Sequence, residues 1–397
     1  MKREPLTLFH PGPSAAPGMA GGFQPLKIAV IAHLKYPIAE PFAGGLEMHT
    51  EMLVSQLIAL GHQVTLFAAD GSDTRLNVEP ICERTMIEQA GIAEATDVAF
   101  FREHHAYLQL MTRLRSSDFD VVHNNSLHYL PLAMADTLPM PMVSVFHTPP
   151  FCWLESGVRS YRGSNATFVS VSQSLGRDWG RIIPVDRTVY NGIDLARFPY
   201  RAQPHEAPYL VWYGRIVPEK GLHHAIAAAS EGGHRLRIAG PISNRDYYEA
   251  QIAPHLNERI THEGHLDHDQ LAQLIGGARA ALCTPQWNEP YGLVVAEALA
   301  CGVPVVAFDR GAIGEILTRE TGILCEPNNV AALGAGIEAA RAIDRRACRG
   351  RAEQFCDMRH MVAAYDLLYR QCIARHQHDT PLLTFAIPAA VQEAVSA

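Results

Sequence analysis

Two carboxylates, Glu289 and Glu297, stand with seven residues between them in Asn288-Glu289-Pro290-Tyr291-Gly292-Leu293-Val294-Val295-Ala296-Glu297. Pro290 and Gly292 mark a loop, and the apolar run that follows reads as a helix stopped by Gly302-Val303-Pro304 before the strand Val305–Phe308. The first N–H groups of a helix lack partners within it and sit at the positive end of its dipole, so the terminus at Gly292, Leu293 and Val294 suits a phosphate. Glu289 lies just before that end and Glu297 about a turn further along. One carboxylate can therefore meet a sugar and the other a ribose, with a diphosphate between them. Complementary charge comes from Tyr213-Gly214-Arg215-Ile216-Val217-Pro218-Glu219-Lys220-Gly221, which follows an apolar strand. Arg215 and Lys220 flank its tight turn, and a planar fork and a flexible point charge can converge on one anion.

Further candidates lie at other strand ends. Gly44-Gly45 follows the first strand, where two residues without Cβ let the backbone approach a ligand. His147 ends an apolar strand in Phe146-His147-Thr148-Pro149, and the loops Ala239-Gly240-Pro241 and Gly264-His265-Leu266 follow strands of the second half. Neither a dinucleotide fingerprint nor a phosphate-binding P-loop occurs. With 20 histidines, metal readings need weighing. Asp118-Phe119-Asp120 opens a strand at its amino end, and Asp267-His268-Asp269 opens a helix, where acids complement the dipole. His262-Glu263-Gly264-His265 misses the zinc-protease spacing, and His104-His105 and His223-His224 put neighbours on different faces. No metal or other cofactor is expected.

The elements that must position these groups alternate short β-branched runs with helical patterns, which marks βαβ units and parallel sheets. The first series includes strands at Lys27–His33, Gln63–Phe67, Asp120–His123, Pro141–Phe146 and Thr167–Val171, with a helix over Leu46–Leu60. After the turn Tyr190-Asn191-Gly192-Ile193-Asp194, where Asn-Gly favours positive φ, and a proline-rich stretch, a second series runs from Tyr209–Tyr213 to Val303–Phe308. At 397 residues the chain has room for two such domains, whose ligands bind beyond the carboxyl ends of the strands. The expected division is a flexible tail over 1–26, a domain over 27–190 to which a helix at 361–375 returns, a domain over 191–360, and a tail over 376–397.

Composition narrows the partners. A hydrophobic content of 48% with 19% charged residues fits a soluble globular chain, and no apolar run reaches the roughly 18 residues of a membrane-spanning helix. The net charge of −8 argues against nucleic acid. Residues 1–26 alternate Pro, Gly, Ala and Ser with no apolar core, unlike a secretory signal, so a cytoplasmic location with eight reduced cysteines is expected. Arg159, Arg162, Arg177 and Arg181 near Phe151 and Trp153 would give at most weak peripheral membrane contact.

Taken together, the Glu289/Glu297 segment, the Gly-Arg…Lys-Gly element, the glycine loop and His147 occur in the order found in retaining GT-B-fold glycosyltransferases of family 4, which the chain resembles over roughly residues 27–375. The resemblance implies an α/β GT-B fold: two Rossmann-like domains facing across a cleft, with a C-terminal helix crossing back to the first. It also implies transfer of a sugar from a UDP- or GDP-sugar to a hydroxyl-bearing acceptor, a glycan or lipid-linked intermediate among them, with retention and without metal. Glu289 would hold the sugar hydroxyls, Glu297 the ribose, and Arg215, Lys220 and the Gly292 helix end the diphosphate. Gly44 and Gly45 would close over the donor phosphate, His147 would meet the donor sugar, and Gly240, His265 and Leu266 would bracket the base. The family often has Asp after the histidine, whereas this chain has Thr148 and two prolines. A GT-B epimerase and a catalytically silent nucleotide-sugar-binding subunit are the rival readings.

Overall fold

A computed structural model describes residues 23–82 and 96–379, so the expected tails fall largely outside the described residues. Two parallel sheets carry the chain. Among the described residues the first holds seven strands: β1 (Lys27–Ile31), β2 (Gln63–Ala69), β3 (Val78–Cys82), β4 (Val121–Asn124), β5 (Met142–Phe146), β6 (Ala166–Ser170) and β7 (Arg187–Thr188), in the order β3-β2-β1-β4-β5-β6-β7. The second holds six: β8 (Leu210–Tyr213), β9 (Leu236–Ala239), β10 (Ile260–His262), β11 (Ala280–Cys283), β12 (Val305–Phe308) and β13 (Gly322–Cys325), in the order β10-β9-β8-β11-β12-β13. Strands β4, β5, β6, β8, β11 and β12 are buried along their whole length, as expected of apolar strands covered by helices on both faces.

The topology explains where a site must form. In each sheet the chain winds outward from a central strand, returns, and winds out the other way, so strand order reverses between β1 and β4 in one sheet and between β8 and β11 in the other. Connections diverge at such a reversal and leave a crevice at the carboxyl ends. The loop after β1 leads to Gly44-Gly45, Asn125 follows β4, Arg215 follows β8, and the segment to Glu289 follows β11. The sequence reading missed β3, β7 and β13. All three are edge strands, paired on one side only, and β3 tolerates Pro80 for that reason.

The helix Met358–Asp379 starts beside the second domain and packs on the first sheet, three residues longer at its start than expected and continuing past Arg375. The Tyr369 hydroxyl lies 2.8 Å from His123 Nδ1, Cys372 Sγ 3.3 Å from Thr167 Oγ1, and His376 Nε2 2.9 Å from the Pro139 carbonyl. Its start is tied to the junction by a parallel bridge between Ile193 and Asp357. Gly192 differs from expectation: it is not among the residues with positive φ. Glycine is needed there because a Cβ would stand 2.2 Å from the Met358 Cα. No described helix is long and apolar enough to cross a membrane.

A second tie joins the domains directly. The Glu315 carboxylate accepts from the backbone N–H of Gln173 at 2.9 Å and of Ser174 at 2.7 Å, the first turn of the helix Gln173–Trp179, and from the Tyr190 hydroxyl at 2.8 Å. A carboxylate facing a helix N-terminus is favoured by the partial positive charge there. Glu315→Gln removes that charge and turns an N–H donor toward N–H donors, so it should cost about 1–2 kcal/mol. Thermal unfolding of the variant should show a lower midpoint than wild type, and an unchanged midpoint would mean that this contact adds nothing to the resting arrangement.

Candidate active site

The carboxyl ends of the two sheets enclose a cleft of about 1250 Å³, lined by all thirteen residues singled out from the sequence. On the second-domain side, Lys220 Nζ donates to Glu289 Oε2 at 2.7 Å, and Trp287 Nε1 donates to the same oxygen at 2.9 Å. The ammonium also lies 5.2 Å from the centre of the Trp287 ring, close enough for a cation–π attraction. Glu289 is thus a buried carboxylate with two donors, on a loop whose backbone carbonyl accepts from Ala312 N–H at 2.9 Å. Arg215 is partly exposed to the cleft and makes no ion pair or hydrogen bond with the described residues. Its charge nevertheless reaches Glu47 of the other domain.

Gly292, with φ of 100°, turns the chain into the helix Leu293–Ala300, and no side chain caps this end. The N–H groups of Val295 and Ala296 return to the Gly292 carbonyl, which leaves those of Leu293 and Val294 toward the cleft. One turn in, Glu297 is buried next to the Tyr213 hydroxyl. Burial pushes its carboxyl up to about 7, only partly offset by that hydroxyl. The helix end and Glu297 therefore present N–H donors and a carboxyl acceptor within one turn.

The first domain faces this with Gly44-Gly45 at the start of the helix Gly45–Ala59. A Cβ on Gly45 would stand 2.7 Å from Leu293 Cδ1, so the glycine loop lies against the opposing helix end. Two residues on, Glu47 pairs with His33 Nε2 at 2.8 Å, both buried. Burial opposes its ionisation, but the His33 hydrogen bond and charge, with help from Arg215, outweigh that and hold the carboxyl below its ordinary value. His147 Nε2 lies 2.8 Å from Asn125 Oδ1, which is also 3.1 Å from His123 Nε2. The His49 ring stands edge-on to His147 at 4.8 Å and is fully buried. Burial first, then the neighbouring His49, His123 and His33, hold the His147 imidazole well below its ordinary value, so it is neutral at physiological pH.

His265 is exposed and Leu266 partly buried on the cleft rim with Gly240. The Asp-x-Asp pairs have other partners. Asp118 pairs with the Lys27 ammonium, Asp120 accepts from the Lys27 N–H at 2.7 Å, and Asp267 caps its helix in a reciprocal box with Gln270. His223 and His224, expected on different faces, instead both reach Gln286 Nε2, at 2.9 and 3.3 Å. They sit in the first helical turn, where both imidazoles can flank one amide. Sequence reasoning missed Glu47 as an ion-pair partner, Trp287 and His33 altogether, and took Asn125 only as part of the loop Asn124–Tyr129. Trp287 and Glu47 stand two residues from candidates already chosen, a signal that could have found them. Asn125 follows β4 directly and His33 stands two residues beyond β1, where the strand-end rule points.

The sequence pattern described as "Glycosyltransferase Family 4" matches residues 43–197, and that described as "Glycosyl transferases group 1" matches residues 197–353. The two therefore meet at the junction between the sheets. A glycogen synthase of Mycobacterium tuberculosis is 29% identical over 87% of this chain and 96% of its own length. Among solved structures, sucrose-phosphate synthase of Thermosynechococcus elongatus superimposes with a TM-score of 0.72 at 21% identity, covering 88% of this chain and 100% of that one. Anabaena HepE in complex with UDP-glucose gives 0.66 at 16% identity, with 88% and 100% covered. Two parallel sheets with their switch points face to face, paired family patterns and a relative matched along nearly its whole length converge on one assignment: the chain belongs to the group 1 glycosyltransferases of the GT-B fold.

Proposed function

We propose that this glycosyltransferase moves a sugar from a UDP- or GDP-sugar to a glycan, lipid-linked or small-molecule hydroxyl, with retention at the anomeric carbon and without metal. The observation that carries the reading is the Lys220–Glu289 pair, set beside an uncapped helix N-terminus in a cleft that Gly44-Gly45 closes from the other side. A diphosphate at that helix end meets the N–H groups of Leu293 and Val294 and the charges of Arg215 and Lys220, which stabilise the leaving group as the C–O bond to phosphate breaks. The acceptor oxygen bonds to the anomeric carbon from the same face, and its proton passes to the departing phosphate. Glu289 holds the sugar hydroxyls and opposes the positive charge that develops on the ring. Glu297 accepts from the ribose diol. The neutral His147 hydrogen-bonds the donor sugar, and Gly240, His265 and Leu266 border the base. The structural engagement of Asp118, Asp120 and Asp267 supports a charge supply from Arg215 and Lys220. The likeness to a glycogen synthase supports a glycan acceptor.

Turnover of UDP- and GDP-sugars in the presence of EDTA tests the whole reading. Release of nucleoside diphosphate should persist. A strict requirement restored by Mg²⁺ or Mn²⁺ would overturn the cation-pair account, and no turnover of any donor would overturn the reading itself.

Arg215→Ala and Lys220→Ala should each lower kcat by about 10²–10³, the usual cost of losing one stabiliser of developing negative charge. Lys220→Ala should also reduce stability, because it leaves the buried Glu289 with Trp287 as its remaining donor. Steady-state kinetics with a stability control checks both, and wild-type kcat in the two variants would reduce the pair to surface charges.

Glu297 gives a pH signature. Its carboxyl titrates at about 7, and the ionised form is the stronger acceptor for a ribose diol. Nucleoside diphosphate affinity should therefore rise as pH increases from 6 to 8, beyond any change due to the phosphate itself. Calorimetric titration of wild type and Glu297→Gln isolates the effect, since the variant keeps the phosphate's own pH dependence and should lose the rest. Parallel profiles would remove Glu297 from the ribose.

A further inference from the structure

The first-domain wall of the cleft holds aromatic side chains that the donor reading does not use. Beyond His147 the chain runs through Thr148-Pro149-Pro150-Phe151 into the helix Cys152–Ser160, whose first turn sets Trp153 in this wall. Trp153 is 50% exposed and Phe100, from the helix Thr96–Leu114, 39% exposed. Large aromatics left open to water inside a cleft are a mark of a ligand surface. Their ring centres lie 4.9 Å apart at 45°, and Tyr129 stands 6.5 Å from Trp153 at 32°, its hydroxyl 2.8 Å from His104 Nδ1. Glu103 lines the same wall. Burial raises its carboxyl above the ordinary value, an effect that Lys35 and His33 only partly offset.

The occupant follows from this chemistry. A pyranose ring offers an apolar face of C–H groups and an edge of hydroxyls. The C–H groups carry slight positive charge and meet the negative face of an aromatic ring, while the hydroxyls donate to a carboxylate. An anionic membrane would instead need a surplus of basic side chains near the rings. The cleft wall has no such surplus: among the first-domain residues that line it, Lys35 stands with the carboxylates Glu40, Glu47 and Glu103, and nearby Arg159 pairs with Glu155 at 3.3 Å. Arg162 turns back to the Tyr161 carbonyl at 2.9 Å.

We propose that Trp153 and Phe100, with Glu103 beside them, form an acceptor subsite that stacks a pyranose ring of an uncharged oligosaccharide. The assignment to the acceptor rests on the donor-side reading of the cleft given above. It places the acceptor chain at the helix that directly follows the His147 loop, so a sugar stacked at Trp153 extends toward the reaction centre.

Calorimetric titration of wild type, Trp153→Ala, Trp153→Phe and Phe100→Ala with maltoheptaose, cellohexaose and mannohexaose, each with and without UDP or GDP, tests this. At least one oligosaccharide should bind wild type. Each alanine variant should weaken it by about tenfold or more, as loss of an aromatic anchor does, and Trp153→Phe should retain most of the affinity. Nucleotide affinity should stay at the wild-type level in all three variants. The subsite is overturned if none of the three binds wild type, or if both alanine variants bind as wild type does. It is also overturned if phosphatidylglycerol vesicles, rather than sugars, bind in a Trp153-dependent manner at physiological salt. Trp153-dependent sugar binding without any nucleotide binding would leave the subsite standing and remove the donor reading.

Discussion

A lysine ammonium and a glutamate carboxylate held 2.7 Å apart at a strand reversal set the terms for the rest of the molecule. Neither is fully exposed, so each would be costly without the other, and removing one leaves a poorly compensated charge. The fold brings them together over 69 residues of sequence by running β8 and β11 side by side. Lys220 then turns back from one strand end and Glu289 comes from the other. Trp287 fixes the carboxylate from a third direction, which leaves the ammonium as the more adaptable partner. On the proposed reading that adaptability is the point. Glu289 compensates Lys220, and a diphosphate would compete for the same ammonium.

This arrangement is useful only if the other sheet closes on it. The Glu315 carboxylate at the helix end of Gln173–Trp179, the Ile193–Asp357 bridge and the crossing helix all join the two halves. They do so with groups outside the cleft, whereas inside it the glycine loop lies against Leu293 and the cleft residue Glu40 pairs with Arg197. A side chain at Gly45 would have to displace Leu293 from the helix N-terminus, so the absence of Cβ there is part of how the two walls approach each other.

Much of this was legible because parallel βα units announce themselves through buried apolar runs, and because ligand groups in such sheets follow strand ends. Glu289, Glu297, Arg215 and Lys220 could be chosen from that rule and the spacing of their segments, and His147 from the family resemblance. What escaped was long-range pairing. Glu47 with His33 and the Asn125 carbonyl shared by two histidines depend on which strands become neighbours. Glu315 meets Gln173 across 142 residues. Gly192 shows the same limit locally: the Asn-Gly pair suggested a positive φ, but its glycine is demanded by the backbone of Met358, which no local pattern reveals.

The two halves of the cleft also divide the chemistry. His147 is held neutral by burial and by three other histidines, and one ring nitrogen is committed to Asn125. It therefore has Nδ1 left for another contact and no charge to offer a leaving group. A neutral imidazole at this place can orient a hydroxyl but cannot oppose an anion, and the positive side chains Arg215 and Lys220 stand on the opposite wall. The chain behind His147 reinforces the restriction, since Asn125 also meets His123, which Tyr369 of the crossing helix engages at 2.8 Å. The orientation of a cleft side chain is thereby tied to the element that crosses between the domains. The second-domain wall thus sets Arg215, Lys220 and Glu289 beside the helix end, while the first-domain wall sets the neutral His147 beside the Glu47–His33 pair.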